Sequence, residues 1–155
     1  LKIIPPKCPS GNPEIRLLPI EGIETLTSPF DGKKHCVYKF GGGVMAGDGC
    51  VYFFPSDASR VLQVNLKTEK ARLIGPEYIG LNKWQNGFKA EDGSCYAIPC
   101  NASKVLKIAS GGHVSLIGPD LTKMKEKWEG GVVGPDGNLY CMPQQAGSIL
   151  VIRGC

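Results

Sequence analysis

A pattern that recurs three times without a gap constrains this chain more than any other feature. Its copies begin at Lys39, Lys83 and Lys127, so successive starts lie 44 residues apart. Laid over one another, the copies share an aromatic residue next (Phe40, Trp84, Trp128), then Gly43, Gly87 and Gly131, then the dipeptides Asp48-Gly49, Asp92-Gly93 and Asp136-Gly137. Further columns hold Tyr52, Tyr96 and Tyr140, then Pro55, Pro99 and Pro143, then Ala58, Ala102 and Ala146, and last Leu62, Leu106 and Leu150. A repeat of this length is one supersecondary unit that buries its apolar surface only by stacking on its neighbours.

Each copy reads as strands. Asp-Gly between two apolar runs signals a hairpin, here expected as a type I′ turn whose positive φ Gly supplies freely and Asp tolerates. Gly42–Ala46 and Cys50–Phe54 should therefore pair. The run Val51-Tyr-Phe-Phe54 is apolar on both faces, as a strand sandwiched between two other sheets requires. Pro55 cannot donate to a ladder and ends that strand. Arg60–Asn65 and Ala71–Ile74 supply a third and a fourth strand, Val105–Ile108 and Val114–Ile117 repeat them, and Ser148–Ile152 is the last. A helix-pair repeat of similar length is excluded because 21 glycines and 12 prolines interrupt every segment.

Four antiparallel strands in one such repeat match the size of a β-propeller blade. The expected fold is all-β, with three four-stranded antiparallel blades over residues 15–155 and an extended arm over residues 1–14, where prolines lack donors and hold φ near −65°. The third copy lacks its fourth strand. Ile15-Arg-Leu-Leu18 resembles Ala71-Arg-Leu-Ile74, so Ile15–Leu18 is expected to be that closing strand, displaced to the N-terminus to leave no open edge. Three blades fall short of the four to eight that usually close a propeller. Two copies forming a six-bladed ring, each lending Ile15–Leu18 to the third blade of the other, is the expected solution. Completion by a different protein, or by the rest of a longer chain, are the alternatives.

At Gly131-Val-Val-Gly-Pro-Asp-Gly-Asn-Leu-Tyr140, followed by Ser148-Ile-Leu-Val-Ile152, the sequence resembles the NHL and gluconolactonase-type six-bladed propeller repeats. These share a Gly-Val strand, an Asp-Gly hairpin, an aromatic second strand and a hydrophobic third one. The resemblance covers roughly residues 15–152 and is nearest to a divergent form that runs Lys-Trp-x-Gly-Gly, Asp-Gly, Tyr-x-x-Pro-x-x-Ala, Val-Leu. It implies half of a six-bladed ring. Pro-x-x-Ala stands where ordinary NHL repeats carry other polar pairs, so ligand assignments do not carry over. A lactonase-type enzyme of this class would hold a divalent metal through Glu, Asn and Asp side chains at the channel mouth, and only Asp57 and Asn101 are candidates here, without a Glu partner.

Strand directions place the loops before the first strand and between the second and third on one face of the ring. That face is the candidate binding face: Lys39-Phe40, Lys83-Trp84 and Lys127-Trp128 with Asp57, Asn101 and Gln145. Lysines beside aromatics could hold an anionic or planar ligand, or an acidic partner surface. The plainer alternative is that each aromatic packs between blades while its Lys stem reaches water. Asp48, Asp92 and Asp136 are what a hairpin turn needs rather than a carboxylate cluster. His35 and His113 fall on opposite faces, which argues against a His-based metal site or triad.

Seven cysteines include Cys95 and Cys141 inside apolar strand patterns, read as small buried hydrophobes. Cys8, Cys36, Cys100 and Cys155 lie in loops or termini and are the disulfide candidates, with no connectivity derivable. The formal charge of +4, from interspersed residues, is too mild for nucleic-acid binding, and no apolar run is long enough to span a membrane. A start at Leu1 fits either a targeting peptide already removed, by an organellar or secretory route, or a trimmed end. The expected function is a non-enzymatic scaffold or accessory subunit that needs no cofactor and binds protein, as a strand-exchanged homodimer or within a larger complex. A metal-dependent hydrolase or lactonase is the alternative.

Overall fold

The computed structural model describes residues 15–23 and 38–153. The arm over residues 1–14, with Cys8, and His35, Cys36 and Cys155 lie outside the described residues. Each repeat forms one sheet. The first holds β1 (Ile20–Glu21), β2 (Phe40–Met45), β3 (Cys50–Pro55), β4 (Val61–Asn65) and β5 (Lys70–Ile74), in the order β1-β5-β4-β3-β2. The second runs β6 (Trp84–Lys89), β7 (Cys95–Pro99), β8 (Val105–Ile108), β9 (Val114–Ile117), and the third β10 (Trp128–Val133), β11 (Leu139–Pro143), β12 (Leu150–Ile152), both in chain order. The chain is all-β, and its antiparallel sheets are β-propeller blades. Among the described residues no helix is long and apolar enough to cross a membrane.

The Asp-Gly hairpins form, but not with the expected turn. Ala46 N–H donates to Cys50 O (2.9 Å) and Gly49 N–H to Ala46 O (3.4 Å), which encloses three loop residues rather than two. Of these only Gly49 has φ in the left-handed region, at 77°. This is the three-residue hairpin closed by a glycine bulge, not a type I′ turn. The same bonds recur at Ala90–Ser94 and Gly134–Asn138. Aspartate is wanted in the loop because its Oδ1 accepts the N–H two residues on, at Cys50 (3.0 Å), Ser94 (2.8 Å) and Asn138 (3.1 Å).

The glycine that follows each Lys-aromatic pair also has a physical cause. Strands β2, β6 and β10 each carry a bulge between the aromatic residue and that glycine. A Cβ on Gly87 would lie 2.3 Å from Tyr96 O, and one on Gly131 2.3 Å from Tyr140 O, so no side chain fits.

In the single chain Ile15–Leu18 are not part of the third blade's sheet. Ile15–Pro19 carry no strand in the single chain, and Ile15 and Leu17 are 87% and 94% exposed. Pro19 offers no N–H, and the strand begins just after it, at Ile20. There β1 runs parallel beside β5, Ile20 opposite Ala71, so it extends the first blade rather than the third. Among the described residues the third blade has three strands.

The core lies between blades, in two layers. Side chains alternate along each strand, so every blade has one face toward the preceding repeat and a forward face toward the next. Tyr52 and Phe54 of the first blade's forward face meet Trp84, Cys95, Ala97 and Leu106 of the second. Tyr96, Ile98 and Val105 of the second meet Trp128, Leu139, Cys141 and Ile152 of the third. A blade is stable here because its neighbour covers it.

Candidate functional site

The Lys-aromatic face is assembled by backbone bonds that recur in every copy. Lys39 O accepts from Ser56 and Ala58 N–H, Lys83 O from Cys100 and Ala102, and Lys127 O from Gln144 and Ala146, which folds the loop after the second strand back over the start of the first. A second set of bonds crosses between blades. Lys83 N–H donates to Ser56 O and Lys127 N–H to Cys100 O, each at 3.1 Å. Asp57 Oδ1 accepts from Asn82 N–H (2.8 Å) and Asn101 Oδ1 from Glu126 N–H (2.7 Å). The third member of that column, Gln145, has no following blade to reach among the described residues and bonds Glu126 of its own blade instead.

Side chains complete the lock. Lys83 Nζ donates to the carbonyls of Ser56 (2.8 Å) and Gly80 (2.7 Å), and Lys127 Nζ to Met124 O (3.1 Å). Lys83 and Lys127 are 3% and 0% exposed, whereas Lys39, with no described blade before it, is exposed. The ammonium groups of these two lysines face backbone carbonyls. Burial pushes the Lys83 ammonium down to about 8, with Asp57 pulling the other way, and burial lowers that of Lys127 as well. Trp84 and Trp128 are buried, and their indole N–H groups donate to Lys104 O (2.9 Å) and Ser148 O (2.7 Å). Phe40 is half-buried, with its ring centroid 6.3 Å from that of Phe53.

Of the nine residues proposed for this face, the structure thus brings Asp57, Lys83, Trp84, Asn101, Lys127 and Trp128 together as blade-to-blade fasteners. A cavity of about 470 Å³ opens beside Lys83 and Trp84 and is walled by Tyr78, Ile79 and Leu81. Its one acid, Glu77, is paired with Arg60 at 3.2 Å, and the Lys83 Nζ is already occupied, so no acid–base pair faces the space. Asn101, which also heads an Asn-Ala-Ser sequon, spends its amide on Glu126 and Leu81. Among the described residues no group of three or more His, Cys, Asp or Glu could hold a metal ion.

Cys100 is a correction at this face. It lies in the loop directly after β7, where the sequence places it, but it is fully buried and free rather than disulfide-bonded. Asn82 Nδ2 donates to its sulfur at 3.3 Å, and burial raises its pKa, so it is a packed, unreactive thiol. Cys50, Cys95 and Cys141 are likewise free and buried.

A different set of residues went unnoticed in the sequence. Val132, Met142 and Ile149 are 64%, 57% and 59% exposed, and Tyr140 of the same face is half-buried. One repeat earlier the same columns hold Phe88, Ile98, Val105 and Tyr96, and two repeats earlier Val44, Phe54, Val61 and Tyr52, all of them packed in an interblade layer. The third blade therefore presents a complete apolar forward face with nothing on it among the described residues. Columns that stay apolar in all three copies were the available signal.

The architecture and these fasteners define a run of β-propeller blades. Solved structures agree: an inactive variant of virginiamycin B lyase from Staphylococcus aureus, with quinupristin, matches at TM-score 0.52 and 18% identity, covering 73% of this chain and 41% of that one. A second structure of the Staphylococcus aureus enzyme gives 0.51 and 16%, over 73% and 40%, and a streptogramin B lyase 0.53 and 13%, over 74% and 39%. At such identity the likeness is one of fold. The chain spans about two-fifths of the length of these seven-bladed propellers, so the count of six blades implied by the sequence resemblance is not repeated there. No protein-family model and no curated protein matches the sequence.

Proposed function

We propose that this chain is a non-enzymatic β-propeller binding module, an accessory or scaffold subunit whose contact surface is the open third blade. The observation that carries this reading is the forward face of Val132, Tyr140, Met142 and Ile149, apolar in the columns that bury against the next blade elsewhere in the chain. Contiguous exposed apolar surface of this kind marks a site of association. The free edge of β12 adds unpaired backbone groups to it. The occupant is protein, either a second copy or a subunit of a larger assembly. The Lys-aromatic residues support this reading indirectly, because the side-chain donors of Lys83, Trp84, Lys127 and Trp128 are already bonded to backbone carbonyls.

Val132→Asp combined with Met142→Asp tests it. Both side chains are exposed in the isolated chain, so its thermal midpoint should hold. Association, with itself or with a protein that co-purifies from the native source, should weaken by at least about tenfold, because a carboxylate carried into an apolar interface is costly to desolvate. Equal association of wild type and variant would refute the proposal. Metal analysis of the same preparation should find no stoichiometric metal; calcium or zinc at one per chain would instead favour a hydrolase.

A further inference from the structure

Resting on that reading, we infer that the occupant of the third blade is a second copy of this chain, which adds its Ile15–Leu18 as an antiparallel strand on β12 in a fixed register. In the first blade β4 and β5 pair Val61 with Ile74, Leu62 with Leu73, Gln63 with Arg72 and Val64 with Ala71. Carried two repeats forward, β4 becomes Ile149–Ile152, and the segment that matches β5 is Ile15-Arg-Leu-Leu18. The pairs are then Ile149 with Leu18, Leu150 with Leu17, Val151 with Arg16 and Ile152 with Ile15. Three of the four pairs are apolar on both sides. Leu18 and Ile149 cover the forward face, and Ile15 and Leu17 extend the layer that holds Leu150 and Ile152.

The connectivity leads to the same place. Each outermost strand hands the chain to the innermost strand of the next blade, from Ile74 to Trp84 and from Ile117 to Trp128. Ile15–Leu18 precedes Phe40 in the same sense, which makes it the outermost strand of whatever blade stands before the first. In a head-to-tail pair that blade is the partner copy's third. The forward face of one copy then meets Phe40, Val51 and Phe53 of the other, in the columns where Trp84, Cys95 and Ala97 receive the first blade. Two such contacts, related by a two-fold axis, join the two copies head to tail.

In the single chain Ile15 and Leu17 are almost fully exposed and Leu18 is 43% exposed; Arg16 pairs with Glu69 at the surface and the two-residue strand β1 pairs with β5, contacts that the exchange releases. A surface pair of that kind is weak beside the burial of three apolar side chains.

Leu18→Lys and Ile149→Asp decide the matter, since both positions are exposed in the isolated chain and neither substitution disturbs its core. Wild type should sediment at twice the 16.6 kDa of one chain. Each variant alone should run as a single chain, its self-association weakened at least about tenfold. Mixing the two restores the pair, because one contact then sets the introduced lysine against the introduced aspartate and the other keeps the native Leu18 and Ile149. A monomeric wild type, a dimer indifferent to both substitutions, or a mixture that stays monomeric would each overturn the inference. A dimer lost with Val132→Asp and Met142→Asp yet untouched by Leu18→Lys would sink the strand exchange and leave the binding face standing. If neither pair of changes has an effect, both fall.

Discussion

Trp84→Ala lowers the thermal midpoint by about 6–20 °C, the largest effect expected of any single side chain. Trp84 is 2% exposed and sits in the layer between the first and second blades, edge-on to Tyr78 with ring centroids 5.0 Å apart. Removing it costs about 3–5 kcal/mol in lost burial and cavity, and each kcal/mol is worth about 2–4 °C in a domain of this size. It also orphans Lys104 O, which accepts the indole N–H at 2.9 Å. Trp84→Phe should recover most of the loss, leaving about 1 kcal/mol for the missing hydrogen bond. Phe40→Ala, in the same repeat column but half-buried, supplies the comparison. Circular dichroism melts of the three variants in an Ile149→Asp background, where no partner blade covers Phe40, check the order; an effect of Phe40→Ala equal to that of Trp84→Ala there would mean that the interblade layer is not what stabilises the array.

That comparison also explains how far the sequence could be read. Columns of glycine, tyrosine and proline placed the strands they bound within two residues of their positions, though not β1, because strand pairing inside a repeat is local and each copy states it again. Burial is not local. Lys39, Lys83 and Lys127 look alike in sequence, yet two are buried and one is exposed, since only Lys83 and Lys127 have a described blade before them. The hairpin turn was misjudged for a finer reason: Asp-Gly suits several loops, and only the Ala46–Cys50 bond reveals that a third residue belongs to the turn. Ile15–Leu18 and Ala71–Ile74 share a pattern, and a pattern does not say whether the strand it pairs with belongs to the same chain. Within one chain the first blade's outer edge is taken by Ile20–Glu21, and the third blade is two blades away. Cys100 sits in a loop, as its sequence suggests, but nothing in that local sequence shows that it is buried and free rather than disulfide-bonded.

Alkaline pH should destabilise the fold steeply above about 9, for a reason built into those layers. Cys95 and Cys141 are fully buried, and burial pushes each thiol up to about 11 from an ordinary 9.0. Cys50 and Cys100 move the same way, also chiefly through burial. Between 9 and 11 the unfolded chain releases these protons while the folded chain keeps them, so raising the pH favours unfolding. Lys83 acts with the opposite sign. Its folded value is about 8 against an ordinary 10.5, so between those values the unfolded chain holds a proton that the folded chain has shed, and raising the pH favours folding. Lys127, lowered by burial too, acts in the same sense, so from pH 8 to 9 the buried lysines dominate and stability should edge upward; beyond 9 four thiols outweigh them, and stability should fall through 11. Urea unfolding in reductant at pH 7.5, 9 and 10.5 reads the curve. Lys83→Met should reduce the initial rise, and Cys141→Ala should flatten the later fall, each leaving the other limb in place. A wild-type midpoint that kept rising to pH 10.5 would mean that the thiols are not held in the dry layers between blades, and with them would go the premise that each blade is stabilised by the one stacked on it.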